Sequence, residues 1–135
     1  DAFVARQWTE RAAAGGHPRA MHDLGVYNAR GDTAPADDAA AFRWFRQAAG
    51  YDIADSQFNL GVLYQEGRGV TADTSEALFW FLLAARQGDA SATERAATLE
   101  AELTPMQAAQ ARARAEDFQA RPDPFAPRTA PMNPG

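Results

Sequence analysis

The chain has no cysteine, no lysine and no long apolar run among its 135 residues. Without cysteine it can form neither a disulfide nor a thiolate metal site, and it is compatible with either redox environment. All 13 cationic residues are arginine, and 18 acidic residues outnumber them. The resulting net charge of -5 argues against a nucleic-acid surface, which requires a basic stripe. The longest apolar run, around residues 78–85, is less than half of the roughly 20 residues that span a bilayer.

The sequence repeats itself with a period of 36 residues. Three tryptophans stand 36 positions apart, at Trp8, Trp44 and Trp80, and an Ala-Ala pair follows each of them. Other positions match in the same register without a gap, namely Leu24-Gly25 with Leu60-Gly61, Gly31 with Gly67, Ala41 with Ala77 and Phe45 with Phe81. A fixed period of this length is typical of a repeat architecture.

Each unit of the repeat predicts two helices. In the best-preserved unit the first runs near residues 54–66 and stops at Gly67, a residue that favours helix ends. The second runs near residues 75–87, with Asp73, Thr74 or Ser75 as its N-cap and Gly88 beyond its end. Within it, apolar residues recur at the 3/4 spacing of one helix face, at Ala77, Trp80, Phe81, Ala84 and Ala85.

Small residues predict where the helices cross. Gly25 and Gly61 fall in the middle of first helices, where glycine costs about 1 kcal/mol relative to alanine. We therefore expect another helix to pass close to each glycine, and the Ala-Ala pairs to serve the facing helix in the same way. The tryptophans are then expected to fill the space between one hairpin and the next, because a single hairpin cannot bury both of its faces.

Residues 56–90 resemble the Sel1-like repeat, a 36-residue helix hairpin related to the tetratricopeptide repeat. The matching positions are Leu60, Gly61, Tyr64, Gly67, Gly69, Val70, Asp73, Glu76, Ala77, Trp80, Ala84, Ala85 and Gly88, with Ser56 in place of an alanine. The resemblance implies an all-α fold, a right-handed α-α solenoid of stacked helix hairpins. It extends over residues 3–100, although the loop after Gly31 departs from the pattern.

The remaining chain predicts a cap and a linker. Thr104-Pro105 has the form of an N-cap followed by a proline at the first helical position, so we expect a capping helix over about 104–120. Residues 1–120 would then form one array. Residues 121–135 hold five of the eight prolines and read as an extended linker or tail.

No set of residues suited to catalysis is evident. Ser56, Ser75 and Ser91 stand at helix starts and are interpreted as cap or packing residues. His17 and His22 are five positions apart, which is not the spacing of a helical zinc pair. The acidic residues of one loop, Asp32, Asp37 and Asp38, lack the ligand pattern of a calcium loop and suit helix capping. The sequence therefore predicts no enzyme, no metal and no cofactor.

Surface positions on the first helices are the candidates for binding. In stacked hairpins these helices line the concave side, and in tetratricopeptide relatives such positions hold extended peptides. The corresponding residues here are Met21, Asp23, Val26, Arg30, Gln57, Asn59, Val62, Glu66, Thr93 and Arg95. Phe79, Leu82 and Leu83 are not explained by the repeat, because their counterparts are arginine or glutamine. They are either buried by the capping helix or left as an apolar patch for a partner.

The resemblance implies a protein-interaction or scaffold module that binds a protein or an extended peptide, within a larger bacterial envelope, polarity or signalling protein. A repeat array followed by a proline-rich linker also resembles the periplasmic part of alphaproteobacterial polar-organelle scaffolds. Two alternatives remain open: a binder of peptidoglycan or another cell-wall component, and a rigid spacer or self-association domain. The expected location is the periplasm or envelope, with the cytoplasm as the alternative.

Overall fold

Seven α-helices follow one another along the chain, and each is 13 residues long. The computed structural model describes residues 1–31 and 34–126, and in that part of the chain all regular structure is helical. The helices are α1 (Ala2–Ala14), α2 (Pro18–Arg30), α3 (Asp38–Gly50), α4 (Ala54–Glu66), α5 (Thr74–Arg86), α6 (Ala90–Glu102) and α7 (Pro105–Asp117). Each helix packs on the next through α6, and α5 packs on α7 as well. The predicted stack of helix hairpins is confirmed.

The helix ends follow the sequence signals. Gly31 and Gly67 end α2 and α4 in the left-handed conformation, with φ of 74° and 69°. The Asp73 carboxylate caps α5 by accepting a hydrogen bond from the Glu76 amide, so the first of the three cap candidates is correct. Thr104 and Gln107 form a reciprocal capping box at the start of α7. That helix ends at Asp117, three residues before the predicted end.

Two acidic residues of the predicted capping loop have structural roles. The Asp37 carboxylate accepts a hydrogen bond from the Ala40 amide at 3.0 Å and so caps α3. Asp38 pairs with Arg68 at 3.2 Å and thereby ties the loop after α4 to the start of α3. The third residue of that prediction, Asp32, lies outside the described residues.

In α2 and α4, a glycine of the first helix contacts a phenylalanine of the following helix. A Cβ added to Gly25 would lie 2.5 Å from ring atoms of Phe45, and one added to Gly61 would lie 2.8 Å from the Phe81 ring. Both phenylalanines are buried, and the two contacts are 36 residues apart. The predicted close crossing at these glycines is confirmed, and the ring that occupies the space is now identified.

The tryptophans are less buried than the sequence predicts. Trp44 is half-buried against a cluster that α1 and α2 supply, and Trp80 is half-buried against one from α3 and α4. Trp8, on α1, is 65% exposed. The prediction of burial between hairpins is therefore wrong for Trp8 and only partly right for the other two.

The capping helix covers the residues that the repeat left unexplained. Phe79 and Leu83 are buried together with Ala115 of α7, and Leu82 packs against the same cluster while half-buried. Phe118 completes this cluster just after α7. Of the two alternatives, burial by the capping helix is correct, and the apolar patch for a partner is wrong.

The segment after α7 returns to the array, which the linker prediction did not foresee. The Arg121 amide donates a hydrogen bond to the Gly50 carbonyl at 2.8 Å, and the Phe125 ring stacks on His17. Residues 121–126 therefore lie against the helices. The rest of the predicted linker, residues 127–135, lies outside the described residues.

The first helices α2 and α4 meet at a buried polar pair. Nδ1 of His22 lies 2.6 Å from Oγ of Ser56, and both side chains are buried. Burial lowers the pKa of His22 from 6.5, and nearby Arg19 lowers it further against the opposing effect of Asp23 and Asp55. The ring is therefore neutral near pH 7, which keeps this crossing free of an uncompensated charge.

We expect Gly61→Ala to destabilise the fold by about 1–3 kcal/mol, because the added methyl group would overlap the Phe81 ring. The cost of this overlap exceeds the free energy that alanine gains over glycine in a helix. The measurement is urea denaturation followed by circular dichroism. Gly50→Ala is the control, since its Cβ would meet only Arg121 Cδ at 3.6 Å, and its effect should stay within about 0.5 kcal/mol. A Gly61→Ala protein as stable as the wild type would contradict the close crossing.

We expect acid to weaken the contact between α2 and α4. His22 binds its proton more weakly in the folded than in the unfolded chain, so stability falls as the pH drops below about 6.5 towards the lowered pKa of the folded state. The double variant His22→Phe/Ser56→Ala should lose less stability than the wild type between pH 7.5 and pH 5.5 in urea titrations. If the free energy of unfolding of the double variant fell with pH as steeply as that of the wild type, His22 would be ruled out as the cause.

Candidate functional site

The ten predicted binding residues lie on α2, α4 and α6, but two of them face inward. Met21 is 5% exposed and packs with Leu24 and Ala48, and the side chain of Gln57 is fully buried. These two residues cannot contact a partner, so their prediction as binding residues is wrong. The other eight are half-buried or exposed, and they are Asp23, Val26, Arg30, Asn59, Val62, Glu66, Thr93 and Arg95.

Gln57 is buried because it completes a polar network at the turn after α3. Its Nε2 donates to Asp52 Oδ1 at 2.9 Å and to the Ala49 carbonyl, while its Oε1 accepts from Gln87 Nε2 at 2.9 Å. Asp52 has a positive φ of 69°, at the position where the neighbouring turns carry Gly16 and Gly88. An aspartate at a glycine position of the repeat was the sequence signal for this network.

A pocket of about 210 Å³ opens between α2 and α4. Four predicted residues line it: Val26 and Arg30 from α2, and Asn59 and Val62 from α4. Ala29, Phe45 and Leu63 complete an apolar floor, and Arg68 adds a second guanidinium group to the wall. Among the described residues, the amide of Asn59 has no hydrogen-bond partner, so it is available to an incoming group.

The equivalent position one repeat further along holds a second pocket of about 270 Å³, between α4 and α6. It is lined by Gln65, Glu94, Arg95 and Thr98. Three of these residues are the 36-residue counterparts of residues in the first pocket, namely Gln65 of Ala29, Arg95 of Asn59 and Thr98 of Val62. The two pockets therefore form one repeated site, apolar in one unit and polar in the next.

The charged side chains of this face are held in place by neighbouring groups. Arg95 donates to Gln65 Oε1 at 2.9 Å, and its guanidinium lies 5.4 Å from the centre of the Phe58 ring. Arg68 pairs with Glu66 at 3.5 Å as well as with Asp38, and the hydrogen bond that Arg68 donates to Asp38 is the main cause of its raised pKa. Such contacts restrict the rotamers of long side chains and reduce the entropy lost on binding a partner.

The face that α3, α5 and α7 share carries a larger cavity, of about 500 Å³, which the sequence analysis missed. Arg46, Tyr64 and Trp80 line it, together with the ion pair of Glu76 and Arg114 at 2.6 Å. Burial, followed by the charge of Glu76, raises the pKa of the Tyr64 hydroxyl. The sequence indicated this cavity only through charged residues in the second helices, and such residues are common on solvated surfaces.

Within the described residues, no group of three or more histidines or acidic residues could hold a metal ion. In the same part of the chain, no helix is both long and apolar enough to cross a membrane.

Comparisons with known proteins agree with the fold and the period. The Sel1 repeat family matches residues 1–17, 18–49 and 54–89, which together are more than half of the chain. A protective antigen present in uropathogenic Escherichia coli strains, displaying an SLR fold, superposes with a TM-score of 0.80 and 31% identity. That match covers 84% of this chain and 25% of the antigen.

A Sel1 repeat protein from Oxalobacter formigenes matches with a TM-score of 0.66 and 36% identity over 68% of this chain and 69% of its own. No curated protein matches the chain. The stacked hairpins, the glycine crossings and these matches lead to one conclusion: the chain belongs to the Sel1 repeat family.

Proposed function

We propose that the chain is a non-enzymatic protein-interaction module that binds an extended peptide across its first helices. The observation that carries the proposal is the pair of pockets at equivalent positions of successive repeats. A peptide lying across α2, α4 and α6 would meet an apolar pocket and then a polar one. The unpartnered amide of Asn59 lines the first pocket and is placed to hydrogen bond with the peptide backbone.

The spacing of the pockets defines the kind of peptide that would fit. Neighbouring helices pack roughly 10 Å apart, and an extended chain advances about 3.3 Å per residue. Two side chains about three positions apart would therefore reach the two pockets. The first pocket favours an aliphatic side chain, because Val26, Val62 and Phe45 form its floor. The second, with Glu94 and Arg95, favours a polar or charged one.

We propose a location in the periplasm or envelope. The relative from uropathogenic Escherichia coli is described as a protective antigen, and this description supports a location outside the cytoplasm. Neither solved relative is described as a polar-organelle scaffold, so we do not extend the proposal to that role.

We expect Val62→Arg to abolish peptide binding, because it places a charge in the apolar pocket. A random peptide library selected against the wild-type chain should yield sequences with an aliphatic residue and a polar residue three positions later. Fluorescence anisotropy of a selected peptide should show at least a ten-fold loss of affinity for Val62→Arg and for Asn59→Ala. Gln47→Arg, which introduces an arginine at an exposed position of α3, is the control and should bind the peptide as the wild type does.

Circular dichroism must first show that the variants remain folded. Selected peptides that bind Val62→Arg and wild type equally would place the site elsewhere. A library that yields no peptide above background would contradict the proposal.

A second candidate function is self-association through α1. Phe3, Val4 and Trp8 are 60%, 45% and 65% exposed, and Val4 and Trp8, four positions apart, lie on one side of the helix. The corresponding tryptophans, Trp44 and Trp80, each pack on the preceding hairpin. The α1 side therefore has the composition of an internal helix contact while being open to solvent.

We expect the chain to dimerise through this side at high micromolar concentration, as measured by light scattering coupled to gel filtration. Trp8→Ser should shift the equilibrium to the monomer. Met106→Ser, at an equally exposed apolar residue of α7, is the control and should leave the mass unchanged. A monomer at every concentration would exclude this candidate without affecting the peptide site.

A further inference from the structure

The chain crosses its own array in the reverse direction after α7. Phe118 packs edge-on against Phe79 and Trp80 of α5, with ring centres 6.2 Å and 6.1 Å apart. The segment then reaches the turn after α3 and finally the turn after α1. It therefore passes from the last repeat to the first on a surface other than the first-helix face.

Two residues of the segment make the contacts. At the turn after α3, the Arg121 amide donates to the Gly50 carbonyl at 2.8 Å, and its guanidinium lies 4.5 Å from the centre of the Tyr51 ring. At the turn after α1, the Phe125 ring stacks on His17 with centres 3.4 Å apart and planes 20° apart. A backbone hydrogen bond, a cation–π contact and an aromatic stack are together the contacts of a specific peptide complex.

The segment forms a turn after Asp123, whose carbonyl accepts a hydrogen bond from the Ala126 amide at 3.3 Å. Pro122 and Pro124 alternate with Asp123, and proline both restricts φ and removes a backbone donor that would otherwise need a partner. The Asp123 carboxylate accepts a hydrogen bond from the Phe125 amide at 2.8 Å, which turns the aromatic ring toward His17. The arginine and the phenylalanine are therefore presented four positions apart.

The receiving surface is a feature of the repeat. Both contacted turns join the second helix of one hairpin to the first helix of the next. A solenoid normally has contacts only between neighbouring units, whereas this segment connects residue 125 with residue 17. We call the surface formed by Gly16, His17, Gly50 and Tyr51 the turn ridge.

We propose that the turn ridge is a second binding surface, for proline-flanked segments that carry an arginine and an aromatic residue four positions later, and that residues 121–126 of the same chain occupy it. The turn ridge and the segment that occupies it are distinct from the two pockets on the first helices. Because the segment is attached to the array, its effective concentration is in the millimolar range, and a competing segment must be present at comparable concentration or bind more tightly.

The test uses the full chain with Arg121→Ala and Phe125→Ala, which removes the side-chain contacts of the segment with the ridge, and a synthetic peptide with the sequence of residues 119–126. Amide shifts of Gly16 and Gly50 in ¹⁵N-labelled protein report binding. We expect saturable shifts at both glycines in the double variant and an apparent affinity at least ten-fold weaker in the wild type, whose own segment competes. A peptide with alanine in place of the arginine and the phenylalanine is the control and should cause no shift.

Three results would overturn the proposal: no shift at either glycine at several millimolar peptide, equal affinity for variant and wild type, or equal binding of the control peptide. Should the double variant lose helical circular dichroism, Phe125→Ala alone serves as the receptor, with the readout at Gly16. Replacing His17 with serine in the variant background should remove the Gly16 shift and leave the shift at Gly50.

Discussion

The fold depends on the approach of a phenylalanine ring to a glycine backbone inside each of the hairpins α2–α3 and α4–α5. At Gly25 and Gly61 the space of a Cβ atom is already occupied by Phe45 and Phe81. The helices can come this close only because the first of them has no side chain at the crossing. The cost of glycine within a helix is offset by the burial of a complete aromatic ring, which contributes about 2–3 kcal/mol. This contact fixes the geometry of a hairpin, and the hairpin geometry fixes where its neighbours stack.

The sequence was sufficient to predict this fold because the repeat states the same constraint more than once. The period of 36, the left-handed glycine at Gly67 and the capping box at Thr104 all depend on local chemistry that one sequence displays. Helix bounds were accordingly correct to within a few residues.

Residues whose environment is set by distant parts of the chain could not be predicted in this way. Trp8 shares the repeat position of the half-buried Trp80, yet it is 65% exposed. Gln57 occupies a surface register and is nevertheless buried, because Asp52 and Gln87 satisfy its amide. The return of residues 121–126 depends on single contacts at Tyr51 and His17 that have no periodic signal. The repeat register identified the helices that carry the candidate binding residues, but it could not predict how deeply each side chain is buried.

The equal length of all seven helices has a consequence for recognition. Thirteen residues at about 1.5 Å per residue give every layer a depth of about 20 Å. The array is therefore a slab of constant thickness, and evolution can lengthen it without altering its cross-section. The length of peptide that the array can contact then grows in discrete steps, because each added hairpin extends it by about three amino acids.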